Sequence, residues 1–256
     1  MRNRICLSLL GMALLALPLA ALEPTRSAAV APAAIQAPEG SVLYDQTDNI
    51  GANSISSQNF EASFDAYDNA GADDFEVPAG FTWTVTDLYV PGVYFNGPGP
   101  LVSVDVNFYS DSAGLPGGLV CSSTGVIPGD AAGTLTITLP GACILPEGKH
   151  WVSVVGNMDF GVGGQWGWTE RTVQSFDGSV WQNPGNGFGS GCTTWANRVG
   201  CGVGGPDPDL VFSLGGTAAV AAVTQEIPTL GMWGIGALVL LLAAGSLALL
   251  ARRKTA

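Results

Sequence analysis

Two-residue alternation, broken at short intervals by Pro-Gly pairs, is the feature that most limits the folds open to this chain. Residues 101–109 read LVSVDVNFY, which places Val102, Val104, Val106 and Phe108 on one face. An extended strand does this, because its successive side chains point to opposite sides. Residues 81–90 alternate as well and are rich in β-branched types, and residues 134–139 repeat the pattern as TLTITL. Residues 151–155 and 210–214 are short apolar runs of the buried-strand kind. Pro91-Gly92, Pro98-Gly99, Pro116-Gly117, Pro128-Gly129 and Pro184-Gly185 punctuate them as turn signals. Helical periodicity is nearly absent from this stretch. Many short strands with such turns predict an all-β, antiparallel β-sandwich or jelly roll over residues 42–216. No repeat of solenoid or propeller period interrupts it.

The ends follow another logic. Arg2 and Arg4 precede a short uncharged apolar run, and small residues follow Pro18. This predicts a secretory signal over residues 1–21, cut after Ala20 or Ala21, with Ser27-Ala28-Ala29 as a second cleavage candidate. An uncleaved N-terminal anchor is the alternative. Residues 22–41, rich in Ala and Pro, are expected to be a linker, as are residues 217–226. Residues 232–251 carry no charge, and at ~1.5 Å per residue they match a ~30 Å hydrocarbon core. Arg252, Arg253 and Lys254 follow at once. These cations act as a stop-transfer signal and predict a single membrane helix with its C-terminus inside.

Immediately before that span stand Ile227, Pro228, Thr229 and Leu230, then Trp233-Gly234. The order of short motif, apolar helix and basic tail over residues 227–256 resembles the IPTL-CTERM class of bacterial sorting signals, relatives of the PEP-CTERM signals. Gly231 departs from the class, which often has Ser there. The resemblance implies that an exosortase recognises the tail and cuts near the motif. It further implies passage through the inner membrane as a precursor, then release or transfer to the envelope of a Gram-negative cell. A looser resemblance to bacterial extracellular β-sandwich domains rests on residues 72–78, 83–86, 104–111 and 114–117, with a closing strand over residues 209–212.

Charge and cysteine usage agree with export. The chain carries 9 Lys+Arg against 21 Asp+Glu, net −12. Such a balance excludes a general nucleic-acid binder, which needs a basic surface. Between residues 30 and 224 the only bases are Lys149, Arg171 and Arg198. Cys6 lies in the signal, which leaves Cys121, Cys143, Cys192 and Cys201. An even number in an exported chain predicts disulfides. Of three pairings, Cys121–Cys143 and Cys192–Cys201 are favoured, as neighbours closing local loops. A zinc site lacks a Cys-x-x-Cys pair and has one histidine to draw on.

Few residues point to chemistry. His150 is the sole histidine and no Gly-x-Ser-x-Gly elbow accompanies it, so a structural or surface role is expected rather than a triad. Gly148-Lys149 lacks P-loop spacing, and residues 187–191 lack a βαβ setting. Asp65, Asp68, Asp73, Asp74 and Glu76 form the candidate Ca²⁺ cluster, since hard oxygens suit that ion. They miss the EF-hand spacing at Tyr67 and Ala70, and a solvated acidic edge is the alternative. No other cofactor is expected. Trp166, Trp168 and Trp195 are candidate sugar-stacking platforms if exposed, and core if buried. Trp195, Asn197 and Arg198 sit in the loop between Cys192 and Cys201, a candidate ligand contact. The expected function is that of an exported, non-catalytic surface protein, structural or adhesive in the exopolysaccharide layer. A carbohydrate-binding module that contacts surface polysaccharide is the first alternative. A secreted hydrolase with two close carboxylates is the second, and a permanently anchored membrane protein whose tail is never cut is the third.

Overall fold

The computed structural model of the chain describes residues 25–27, 41–221 and 240–242. The predicted signal sequence, the sorting motif at 227–234 and the basic tail lie outside the described residues. So does the predicted span, apart from Leu240, Leu241 and Leu242, which are helical. Among the described residues no helix is long and apolar enough to cross a membrane. The chain divides into two units, Met1–Ala221 and Ala222–Ala256. Among the described residues, all the strands belong to the first unit.

Its elements, in chain order, are β1 (Thr25–Ser27), β2 (Ser41–Asp45), β3 (Ile50–Ser56), β4 (Gln58–Asn59), a 3₁₀ helix (Ala62–Tyr67), β5 (Ala70–Val77), β6 (Phe81–Val90), β7 (Gly92–Phe95), β8 (Ser103–Asp111) and β9 (Pro116–Val126). They continue with β10 (Gly129–Ala131), β11 (Thr134–Leu145), β12 (Gly148–Asn157), α1 (Phe160–Gly163), β13 (Gln165–Arg171), β14 (Val180–Gln182), β15 (Ala196–Asn197), β16 (Asp209–Leu210) and β17 (Ser213–Val220). One sheet runs β15-β14-β5-β12-β8-β9, with β4 joined parallel to β12. A second runs β10-β11-β6-β17-β2. A third runs β1-β3-β13-β16, with β7 also paired to β13. Every other pairing in these sheets is antiparallel, so the unit is all-β and sandwich-like.

The alternation explains how the layers meet. In β8, Val104, Val106 and Phe108 are buried, and in β11 so are Leu135, Ile137 and Leu139. Thr136 and Thr138 of β11 face outward. Each side chain so buried contributes about 1.5–3 kcal/mol. Phe75 of β5 lies parallel to Trp83 of β6, with centroids 6.1 Å apart, which joins the faces of the first and second sheets. Val102 does not follow the alternation: it precedes β8 and is 72% exposed.

Pro91-Gly92 is not a turn. It carries the chain from β6 in the second sheet directly into β7 in the third. Proline suits this junction because it has no N–H to place in either ladder, while its carbonyl accepts from Thr169 N at 3.0 Å.

Both cysteine pairs form as expected, Cys121–Cys143 with Cα atoms 6.0 Å apart and Cys192–Cys201 at 5.9 Å. The first does more than close a local loop. It ties β9 of the first sheet to β11 of the second. The second flanks β15 within the long connection from β14 to β16, where regular structure is sparse.

Candidate functional site: an aromatic ridge and two acidic clusters

The tryptophans proposed as platforms divide. Trp166 and Trp168 lie on β13, whose seven residues are all buried. Their indole N–H groups donate to the carbonyls of Gly133 and Val211, each at 2.8 Å. Both are core and present no face to a ligand. Trp195 is half-buried and packs edge-on against Tyr109, centroids 6.0 Å apart. Arg198, from the same loop, is fully buried. It pairs with Glu170 at 3.2 Å and donates to the carbonyls of Val203 and Gly205 and to Ser179 Oγ. It holds the loop from inside.

The five proposed Ca²⁺ ligands are not gathered. Asp65 lies on the 3₁₀ helix and Asp68 caps it, whereas Asp73, Asp74 and Glu76 alternate across β5. Among the described residues no group of three or more His, Cys, Asp or Glu side chains could hold a metal ion.

β5 instead sends adjacent carboxylates to opposite faces. Asp73 points inward and is fully buried. Its Oδ2 accepts from Gln46 Nε2 at 2.8 Å and Leu210 N at 2.7 Å, and its Oδ1 from Asp74 N. Burial, then the nearby charge of Asp209, holds Asp73 well above the usual carboxylate range. Burial also pushes Asp209 up to about 6, against the lowering pull of the Ser175 N–H and Arg171. Asp74 points to the outer face, beneath residues 172–179. Its Oδ2 accepts from Asp177 N at 3.0 Å and lies 3.8 Å from Lys149 Nζ. Burial pushes Asp74 up to about 7. Lys149 contacts Asp177 closely and sits 3.9 Å from Asp111, which also accepts from Trp151 Nε1. These carboxylates act as acceptors that fasten loops onto the sheet. His150 belongs to the same framework: it is buried against Phe75, and its Nε2 meets the Pro146 carbonyl at 2.9 Å.

A third feature is not visible from strand patterns. Phe160 of α1, Phe64 and Tyr67 of the 3₁₀ helix, and Phe188 of the loop after β14 form a row of half-buried rings. Successive centroids are 5.5, 6.0 and 5.1 Å apart. The row is rooted at both ends, Phe160 on buried Phe60 and Phe188 on fully buried Trp181. A 3₁₀ turn places residues three apart on one edge, which brings Phe64 beside Tyr67. The loop reaches Tyr67 because Gly187 lies flat on the helix: its N–H donates to the Ala66 carbonyl at 2.7 Å, and a Cβ there would stand 2.5 Å from that oxygen. Asn183 Nδ2 donates to the carbonyls of Ala66 and Asp68 and fixes the same contact. The sequence did carry a signal. Phe60, Phe64 and Tyr67 are spaced i, i+4, i+7, a helical face within a strand-rich segment.

Acidic groups surround the row. Glu61 accepts from Phe160 N at 2.7 Å and so joins the two short helices. Asp65 and Asp159 are exposed. Asp68 accepts from Phe60 N at 2.8 Å and lines a shallow cavity of about 160 Å³ with Gln58, Asn59, Gln182 and Pro184. Burial and then Asp65 raise the Asp68 carboxyl above its ordinary value, while the Phe60 N–H lowers it. Residues 60–68, 158–164 and 183–189 contain no Lys, Arg or His. A second cavity, about 490 Å³, opens beside the Cys121–Cys143 bridge, with Val106, Phe108 and Leu139 as apolar lining.

No family model, curated protein or solved structure matches the chain.

Proposed function

We propose that this chain is an exported surface protein of the cell envelope, sorted through its C-terminal segment by an exosortase-type enzyme. Its all-β unit, in this reading, serves a structural or adhesive role without catalysis. The observation that carries the reading is the pairing of all four cysteines beyond the signal into two disulfides. Such bridges persist in oxidising compartments. Asp73, Asp74 and Asp209 accept from the backbone N–H groups of Leu210, Asp177 and Ser175, which supports a structural role for these carboxylates in this proposal.

The test is the intact, non-reduced mass of the protein recovered from its cell. The expected mass lacks both ends and four hydrogens. A mass that retains the segment through Ala256 would remove exosortase processing and leave an anchored protein. A second reading, a glycan-binding module, is favoured by the row Phe160–Phe64–Tyr67–Phe188. Aromatic side chains presented at a surface and rooted in the core offer rigid contact area at low entropic cost.

A further inference from the structure

We infer that the aromatic row with its acidic rim binds an amine-bearing polysaccharide, one whose sugar units carry free ammonium groups. The inference rests on the glycan-binding reading and names the ligand class for that surface.

The rings are presented in series. Phe160, Phe64, Tyr67 and Phe188 follow one another at intervals between 5.1 and 6.0 Å, and adjacent planes are inclined by 57° to 80°. They do not close a cage around a point ligand. A series of inclined faces suits a chain of repeating units, each of which lays apolar C–H surface on one ring.

The rim selects charge. The three segments that build the row contribute Glu61, Asp65, Asp68 and Asp159 and no cation. All three basic residues between 41 and 221 are held elsewhere in ion pairs: Lys149 with Asp177, Arg171 with Asp48, and Arg198 with Glu170. An anionic polymer meets only repulsion here, while an ammonium gains Coulomb attraction and the ring quadrupole. Its arrival next to Asp68 also relieves the like-charge cost that Asp65 imposes there.

The surface is pre-formed. Phe60 and Trp181 buttress the two ends, Glu61 locks α1 to the 3₁₀ helix, and Asn183 and Gly187 seat the Phe188 loop. Little ordering is required on binding, which favours affinity from a modest area.

The experiment uses the disulfide-bonded protein and soluble chitosan oligomers, with fully N-acetylated chitin oligomers, alginate and polylysine as the other arms, read by isothermal titration calorimetry. Chitosan is expected to bind at least about tenfold more tightly than the acetylated oligomers, with no binding of alginate. Phe64→Ala is expected to weaken chitosan binding about tenfold or more. Asp159→Asn, at an exposed position that leaves the fold intact, is expected to weaken it several-fold and to flatten its salt dependence. Equal binding of acetylated and free-amine oligomers would overturn the charge selection. Polylysine binding as tightly as chitosan would overturn the sugar assignment in favour of a general polycation surface. Unchanged affinity in both variants, or no chitosan binding, would overturn the site. These failures differ from failure of the sorting proposal, which is read in the mass of the recovered protein.

Discussion

The segment from β6 to β12, residues 81–157, and the segment from the end of β13 to the start of β17, residues 172–212, solve one problem by opposite means. The first is regular. Its backbone groups pair in long ladders, such as the eight registered pairs between β8 and β12, and along β8 and the first half of β11 buried apolar side chains alternate with more exposed ones. The second has only short two- and three-residue strands, and its buried residues, among them Trp181, Asn183, Arg198 and Asp209, stand between exposed ones. There isolated backbone bonds, such as Arg198 N to the Ser179 carbonyl and Ser179 N to the Pro208 carbonyl, are supplemented by polar side chains. Arg198 serves the carbonyls of Val203 and Gly205, Asn183 those of Ala66 and Asp68, Glu170 the N–H of Gly205, and Asp209 the N–H of Ser175. Buried backbone polar groups must find partners, and where no neighbouring strand supplies them a side chain has to. The buried points of this irregular segment are thus held in part by charged groups, Arg198, Glu170 and Asp209, which makes them fragile to single substitutions.

The largest effect should come from breaking this inner scaffold. Arg198→Ala leaves Glu170 buried without its partner and is expected to cost about 3–5 kcal/mol, read as a shift of the urea midpoint. Replacing both partners, Arg198→Met with Glu170→Leu, should recover much of that loss. A double variant as unstable as Arg198→Ala alone would show that the hydrogen bonds to the loop matter more than the charge pair.

In the regular segment, Ile137→Ala removes buried apolar volume and is expected to cost about 2–5 kcal/mol. Its neighbour on the other face, Thr136→Ala, should change stability by less than about 0.5 kcal/mol. Equal effects would mean that the alternation does not divide core from solvent.

The disulfides sharpen the contrast by one step. Loss of either should cost about 2–4 kcal/mol, with the larger loss for the bridge that closes the longer loop. That bridge is Cys121–Cys143, with a sequence separation of 22 against 9 for Cys192–Cys201. Thermal unfolding of Cys121→Ser and Cys192→Ser gives the ranking. Cys192→Ser should also raise protease cleavage within the loop before global unfolding.

The smallest effect is one of pH. Asp74 and Asp209 titrate near 7 and 6 in the folded state, and Asp73 is raised as well, all mainly through burial. Their folded values lie above their unfolded ones, so between these limits the native protein binds more protons than the unfolded chain. Stability then falls as pH rises from about 4 through 7. Lys149, Arg171 and Asp177 face these groups and do not reverse the sign, since burial dominates. The melting temperature should drop by roughly 5 °C between pH 5 and pH 8. Asp74→Asn should reduce the slope. A melting temperature that rises over the same interval would contradict the burial argument.

The two segments also differ in how far their neighbouring residues reveal them. Strand identity in residues 81–157 was legible because period two is written in adjacent positions, as in Val104, Val106 and Phe108. The cysteine pairing was legible from count and proximity in the chain. The fates of Trp166 and Trp168 were not, because a strand buried on both faces does not reveal from its own residues that both sides are covered. Nor was the role of Arg198, whose partner Glu170 is 28 positions away and reached only through the fold.

By itself, then, the sequence determined an antiparallel all-β unit, acidic in balance and equipped to be cross-linked, because alternation, charge and cysteine content are local or additive properties. Tertiary structure alone decided that Asp73 and Asp74, on opposite faces of β5, would both be buried and that one disulfide would tie two sheets. It also decided that Phe160, Phe64, Tyr67 and Phe188 would form one row from three separate segments. Those outcomes depend on which surfaces meet after collapse, and that is set by pairing between residues far apart in the chain.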